Sequence, residues 1–202
     1  GEKGEKSSVY LGIDDTNNKL VVAKGFLNIY LIKDNQGNTN ITGLAKKLAN
    51  LKHKNVVRIR GYKKNPNNNY IITDYYNGRN LSDYQKYYID TNKSQFNELF
   101  IQKIIRQIVS GLEYIHSQKI IHGDINHQNI LINFNKYQNI AVGGILPPNV
   151  NYSDVTLNDS FTLKISHFEN CIKEGEDSLG SSLMSDCPNN MAPEIVQSLL
   201  NN

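Results

Sequence analysis

The chain has 202 residues, a formal charge of +3, 39% hydrophobic residues, no Trp and two Cys. That length is enough to bury the core of one large domain or two small lobes, and the charge is too small to point to nucleic acid or an anionic membrane surface. No apolar run approaches the ~20 residues of a membrane helix, and the first residues do not read as a signal peptide, so a cytoplasmic protein with neither nucleic-acid nor membrane partners is expected. Cys171 and Cys187 fit no zinc spacing and are expected as thiols.

Residues 1–24, GEKGEKSSVYLGIDDTNNKLVVAK, place short apolar runs at 9–13 and 20–23 about a polar turn at 14–18, which predicts a β-hairpin. Residues 39–51 carry Leu44, Leu48 and Leu51 at helical spacing, with Asn40 or Thr42 as a cap. The strongest helical pattern is 96–117: Ile101, Ile104, Ile105, Ile108, Leu112 and Ile115 follow one face, Ser94 caps it, and Glu98 in the first turn suits the helix dipole. Residues 120–134 join two short apolar runs through a polar loop at 122–129, a place where side chains are held rigidly yet face ligand. Asp124 and Asn129, five positions apart in that loop, could accept a hydroxyl proton and supply an oxygen ligand to Mg²⁺. The polar stretch 135–160, with Gly143-Gly144 and Pro147-Pro148, far exceeds the ~2–5 residues of a hairpin connection and reads as an insertion, a disordered spacer with a binding loop as the alternative.

Taken in order, these segments resemble the protein kinases. HGDINHQN at 122–129 stands where that family has H-R-D-L-x-x-x-N, KISHFE at 164–169 where it has K-I-x-D-F-G, and Ala192-Pro193-Glu194 matches its A-P-E. VVAK ending at Lys24 is similar to V-A-I-K, LKHKNVVRIRGY at 51–62 to the segment after the regulatory helix, and YIITDYYNGRNLSDY at 70–84 to the strand, hinge and next helix. The resemblance runs from residue 1 to 194 and implies an α+β, two-lobed fold. Residues 1–73 would form a small β-rich lobe lacking its first strand, and residues 74–202 a helical lobe lacking its later helices, with the insertion at 135–160. The chain is accordingly expected to be a partial domain.

The same resemblance implies roles. Val9, Val22 and Leu131 would sandwich adenine, Thr73 would be the gatekeeper, and Asp74 and Tyr76 would belong to the hinge. Gly4 is the one glycine left of a phosphate loop whose other glycine positions hold Glu2 and Ser7. Lys24 would grip phosphates, Asp124 would receive the substrate hydroxyl proton, and Asn129 would bind metal. Leu48, Ile59, His122 and Phe168 match residues that stack between lobes. The departures fall on the polar positions: Leu44 for the helix Glu that partners the Lys, Gly123 for Arg, Asn126 for Lys, His167 for the metal-binding Asp and Glu169 for Gly.

Phosphoryl transfer relies on positioning ATP and neutralising its charge, and an imidazole is a poor ligand for Mg²⁺. The resemblance therefore implies a pseudokinase: a kinase fold compatible with ATP, ill-suited to Mg²⁺, acting through protein partners. The alternatives are an active ATP-dependent Ser/Thr protein kinase in which Glu169 reaches the metal, and a partial chain with no stable fold. With Gly123 in place of Arg, a phosphate on the activation segment would lack its usual partner. His116, His122, His127 and His167 show no ligand spacing, and no separate metal site is expected.

Overall fold

A computed structural model describes residues 7–27, 48–65, 68–136, 151–168, 171–173 and 193. β1 (Ser7–Asp14) and β2 (Lys19–Leu27), rich in Val, Leu and Tyr, pair antiparallel as the expected hairpin, with Val9 opposite Lys24 and Leu11 opposite Val22. Asp14 makes the turn: its carboxylate accepts from the Thr16 N–H (3.0 Å), the Thr16 hydroxyl (2.6 Å) and the Asn17 amide (2.8 Å), and Asn18 takes a left-handed φ of 55°. Those bonds, Thr16's first, hold the Asp14 carboxyl below its usual range. β3 (Ile59–Lys64) and β4 (Asn68–Asp74) complete a sheet ordered β1-β2-β4-β3, with Lys24 opposite Ile71 and Val22 opposite Thr73. Because strand side chains alternate, these directly paired residues project to the same side of the sheet.

Beyond β4 the chain runs beside β6 (Ile130–Phe134). The Asn77 side chain mimics a strand residue, donating to Phe134 O (3.2 Å) and accepting from Phe134 N–H (2.9 Å), and Gly78 N–H donates to Ile132 O (2.9 Å). A Cβ on Gly78 would lie 2.8 Å from both Ile132 O and the Phe134 ring, so only glycine permits this approach. α1 (Leu81–Asn92) starts at Asn80, whose Oδ1 accepts from Asp83 N–H (2.8 Å), and ends at Lys93 in the left-handed region.

α2 (Glu98–Ser117) is the expected long helix, but its cap is Asn97, which accepts from Phe100 N–H (2.9 Å); Ser94 and Phe96 lie before it. The predicted stripe also divides. Ile104 and Ile115 are buried with Phe100 and Gly111, whereas Ile101 and Ile105 are exposed. Gly111 fixes which side faces inward, since a Cβ there would lie 2.7 Å from Ile165 Cδ1 and 2.9 Å from Asn55 O.

β6 and β7 (Phe161–Ile165) pair antiparallel and bury Ile130, Ile132, Phe134, Leu163 and Ile165 in one cluster with Leu48, Val56 and Ile59 from the sheet side. Asn55 ties the layers: its Nδ2 donates to Gln107 Oε1 and Leu163 O (both 3.0 Å), and its C=O accepts from Ile165 N–H (2.9 Å). β5 (Ile120–Ile121) pairs with β8 (Ile172–Lys173), anchoring the start of the segment after Phe168.

The insertion departs from a spacer at its far end. Residues 151–160 pack on the domain: the Tyr152 hydroxyl donates to Gly78 O (2.8 Å), its ring lies 5.1 Å from Tyr84 and 5.2 Å from Tyr87, and Asn135 N–H closes the base on Ser160 O (3.0 Å). The cause is aromatic burial, which outweighs the cost of ordering a polar loop. Gly4, Asn40, Thr42, Leu44, Glu169, Cys187 and residues 137–150 lie outside the described residues, and of the expected helix at 39–51 only 48–49 are described as helical. Among the described residues no helix is long and apolar enough to cross a membrane.

His53 gives the fold a pH dependence. Its ring stacks on Tyr114 (5.0 Å) and its Nδ1 accepts from Asn55 N–H (3.2 Å), which requires the neutral form. Burial, then Lys54 and Lys164, push its pKa below the ordinary 6.5, while Glu113 opposes them. The unfolded chain therefore binds the proton more readily, and this stability is present above about pH 6.5 and lost as pH falls through the lowered folded value. The melting temperature is expected to drop between pH 7.5 and 5.5, and His53→Phe, which keeps the stack, should flatten that slope when both are followed by thermal denaturation.

Candidate functional site

A cleft of about 280 Å³ lies between the four-stranded sheet and the β6–β7 pair. Its roof is Val9, Val22 and Lys24, brought together by the β1–β2–β4 register; Leu131 forms the floor; Thr73, Asp74 and Tyr76 form one side; Ser166, His167 and Phe168 close the inner end. The expected adenine and hinge residues thus converge on one space. Val57, Ile71 and Arg79, which were not anticipated, also line it, with Leu48, Ile59 and Tyr75. Arg79 follows the tight Gly78 turn with a left-handed φ of 55° and is among the residues that line the cleft.

The side wall owes its shape to bonds made away from the cleft. Asp74 is ion-paired with Arg60, and its N–H donates to Arg58 O (3.1 Å). Tyr76 accepts from Arg58 N–H (3.0 Å) on its hydroxyl, and Lys164 Nζ lies 5.4 Å from its ring centre. Burial pushes that hydroxyl up to about 12 and the Lys164 ammonium down, with Asp74 opposing the latter shift. The Tyr76 side chain is therefore a strut, and what this stretch offers a ligand is backbone.

Next to Ser166 the polar loop 122–129 folds around its own side chains, and Asp124 and Asn129 are not among the residues that line the cleft. Asn126, where the resemblance places a Lys, is buried and accepts from the N–H groups of Gln128 (2.9 Å) and Asn129 (3.2 Å) while donating to Asp124 Oδ1 (2.9 Å). Asn129 Nδ2 donates to Asp124 Oδ2 (2.8 Å) and Asp124 O (2.9 Å), which leaves Oδ1 as its acceptor. Asp124 and Asn129 are thus brought together as their spacing implied, and each carboxylate oxygen receives one amide while keeping further acceptor capacity. Gly123 has a φ of 78°, so glycine here serves the backbone.

His122 is buried and welds loop to inner wall. Its Nδ1 accepts from Asp124 N–H (3.2 Å), so Nε2 carries the proton and donates to Ser166 O (2.8 Å), while the ring meets Phe168 edge-on at 4.7 Å. With Leu48 and Ile59 buried in the same cluster as Phe168, the packing residues implied by the resemblance occupy one core.

His167 is the residue that the resemblance sets at the position of a metal-binding carboxylate. It lines the cleft with a left-handed φ of 63°, so the backbone still directs this side chain toward it. Ser166 Oγ gives its proton to Asn129 O (2.8 Å) and therefore accepts from His167 Nδ1–H (3.1 Å). A hard divalent ion wants converging oxygens, and this inner wall presents nitrogen where two carboxylate oxygens would stand. Among the described residues no cluster of His, Cys, Asp and Glu suits a metal ion; His116 and His127 are exposed and apart from the cleft lining. Among the described residues at the inner end of the cleft, Ser166, His167 and Phe168, none brings a carboxylate.

The protein kinase domain family model matches residues 2–200. A probable serine/threonine-protein kinase of Dictyostelium discoideum is 31% identical over 131 residues, 65% of this chain and 20% of that protein. Serine/threonine-protein kinase unc-51 of Caenorhabditis elegans is 28% identical over 157 residues, 77% of this chain and 16% of that protein. Mitogen-activated protein kinase kinase kinase 1 of Arabidopsis thaliana is 31% identical over 144 residues, 71% of this chain and 22% of that protein. The chain thus spans between 16% and 22% of the length of these relatives. The solved structure of Rad53 1-466 in complex with AMP-PNP aligns with a TM-score of 0.57 at 22% identity, covering 83% of this chain and 36% of that one, a likeness of fold.

Proposed function

Because this chain belongs to the protein kinase family, we propose that it is a pseudokinase domain: it binds a nucleotide such as ATP in the cleft, transfers phosphate weakly or not at all, and works in the cytoplasm through protein partners. In this reading the small lobe ends at Thr73 and the larger begins at Asp74. Val9, Val22 and Leu131 hold the base, the backbone of Asp74 to Tyr76 meets its edge, and Lys24, with the Gly4 loop, approaches the phosphates. The observation that carries the reading is His167, an imidazole on a backbone that still points into the cleft.

Mg²⁺, if bound, would supply neutralisation of phosphate charge, and Asn129 Oδ1 is the donor that would hold it. Asp124, whose carboxylate accepts from Asn126 and Asn129, would receive the hydroxyl proton, and without charge neutralisation the transfer should run slower by about 10³ or more.

A second reading has its own support. The Asp124–Asn129 pair, the His122–Phe168 contact and the β5–β8 pairing form an ordered catalytic-loop arrangement, which favours an active Ser/Thr protein kinase in which Glu169 supplies the missing oxygens. Labelled-phosphate transfer from ATP with Mg²⁺ to itself and to a generic protein substrate separates the two. The expected result is a background rate unchanged by Asp124→Asn. Turnover in the wild type that Asp124→Asn abolishes establishes the active kinase instead.

A further inference from the structure

We infer that Tyr152, in the packed end of the insertion, is a positioning residue for the cleft: its hydroxyl holds the backbone bulge at Gly78 and Arg79 beside the Leu131 floor, and so ties nucleotide affinity to the docking of the insertion. This deepens the nucleotide reading above and rests on it.

The stretch between hinge and α1 runs antiparallel to β6, but its ladder slips by one residue. Gly78 N–H donates to Ile132 O (2.9 Å), whereas Ile132 N–H donates to Arg79 O (2.9 Å), and Asn80 then pairs with Leu131. Two residues, Gly78 and Arg79, therefore stand opposite one, which is a β-bulge, and the left-handed φ of 55° at Arg79 accommodates the extra residue. The slip leaves the Gly78 carbonyl outside the ladder. A partly buried carbonyl needs a donor, and the Tyr152 hydroxyl supplies one at 2.8 Å from 74 positions away. Arg79 and Leu131, on the two sides of this pairing, both line the cleft, so a shift of the bulge changes the surface that a ligand meets.

The ring and the hydroxyl of Tyr152 have separate roles. The ring packs against Tyr84 (5.1 Å) and Tyr87 (5.2 Å), which anchors residues 151–160 to α1. Burial pushes the hydroxyl up from its ordinary range, so it keeps its proton and remains a donor to the bulge. A bulge that loses this bond samples other arrangements, and affinity falls with the fraction of molecules in the binding-competent one. One hydrogen bond limits the loss to about tenfold.

The test is calorimetric titration of the intact chain with adenosine, read beside melting temperature and amide exchange. Tyr152→Phe keeps the ring and removes the donor. It is expected to weaken adenosine binding by about threefold to tenfold while lowering the melting temperature by no more than about 4 °C, and the Gly78 and Ile132 amides should exchange faster. Tyr152→Leu, which loses the ring as well, should melt at a lower temperature than Tyr152→Phe yet bind adenosine about as that variant does. Unchanged affinity in Tyr152→Phe overturns the inference, whatever its melting temperature, and so does an affinity that falls in step with melting temperature across the two variants. Adenosine binding that Tyr152→Phe leaves intact removes this inference alone, whereas a wild type that gives no heat with adenosine removes the nucleotide reading together with it.

Discussion

Tyr84→Ala should destabilise the domain by about 3–5 kcal/mol, measured as a fall in denaturation midpoint by urea, whereas Tyr84→Phe should cost less than about 1.5 kcal/mol. Tyr84 is 2% exposed, and its ring lies 5.8 Å from Phe96, 6.2 Å from Phe100, 5.5 Å from Phe134 and 5.1 Å from Tyr152. It therefore joins four pieces of chain: α1, which carries it; the approach to α2 with α2 itself; β6; and the packed end of the insertion. Truncation empties a space bounded by rigid rings on several elements, and such a space collapses poorly, which places the cost toward the upper part of the large-to-small range. The same truncation should loosen Tyr152 from Gly78, visible as faster amide exchange across 151–160. A cost under about 1 kcal/mol would mean that the cluster is not packed as described.

His167→Asp should leave phosphoryl transfer within about tenfold of the wild-type background, even though it restores a carboxylate beside Asn129. Transfer needs several supports at once, and groups that act as a unit are strongly non-additive, so mending one leaves the others limiting. By the resemblance, Leu44 falls at the position of the family's helix Glu, and Glu2 and Ser7 fall at positions where glycines would let backbone amides reach phosphate. Adding Gly123→Arg to recreate the family sequence should cost about 1–2 kcal/mol of stability, because a side chain at a φ of 78° meets the following carbonyl. Radiolabel transfer by the single and double variants, read beside their melting temperatures, tests both points. A rise of about 10³ on His167→Asp alone would show that the metal carboxylate was the one missing part.

The residues of the cleft and of the polar loop beside it differ in how far sequence reaches them. Asp124 and Asn129 meet because a short loop folds back within five residues, and Asn126 between them supplies the bonds that close it. Val9, Val22 and Lys24 share a roof because strand side chains alternate and the 14–18 turn fixes the register of the hairpin. Arg79 and Ser166 carried no such local mark: one enters the cleft through a positive φ after a turn forced tight by β6, and the other is a small polar residue whose role depends on Asn129 across the β6–β7 pair.

What the sequence determined by itself was the order of elements and the local chemistry: a hairpin, a long amphipathic helix, and a loop holding an acid and an amide at fixed spacing. Tertiary structure decided the rest. The apolar stripe on α2 is wider than one contact, so burial of Ile104 and Ile115 and exposure of Ile101 and Ile105 follow from Gly111 meeting Asn55 and Ile165, which no helical period encodes. Tyr152 reaches Gly78 across 74 positions of chain, and a polar stretch read locally as a spacer is ordered at that end by distant aromatic rings. Periodicity records which side chains are apolar, whereas the partner each one finds is set by shape and by bonds between segments far apart in sequence.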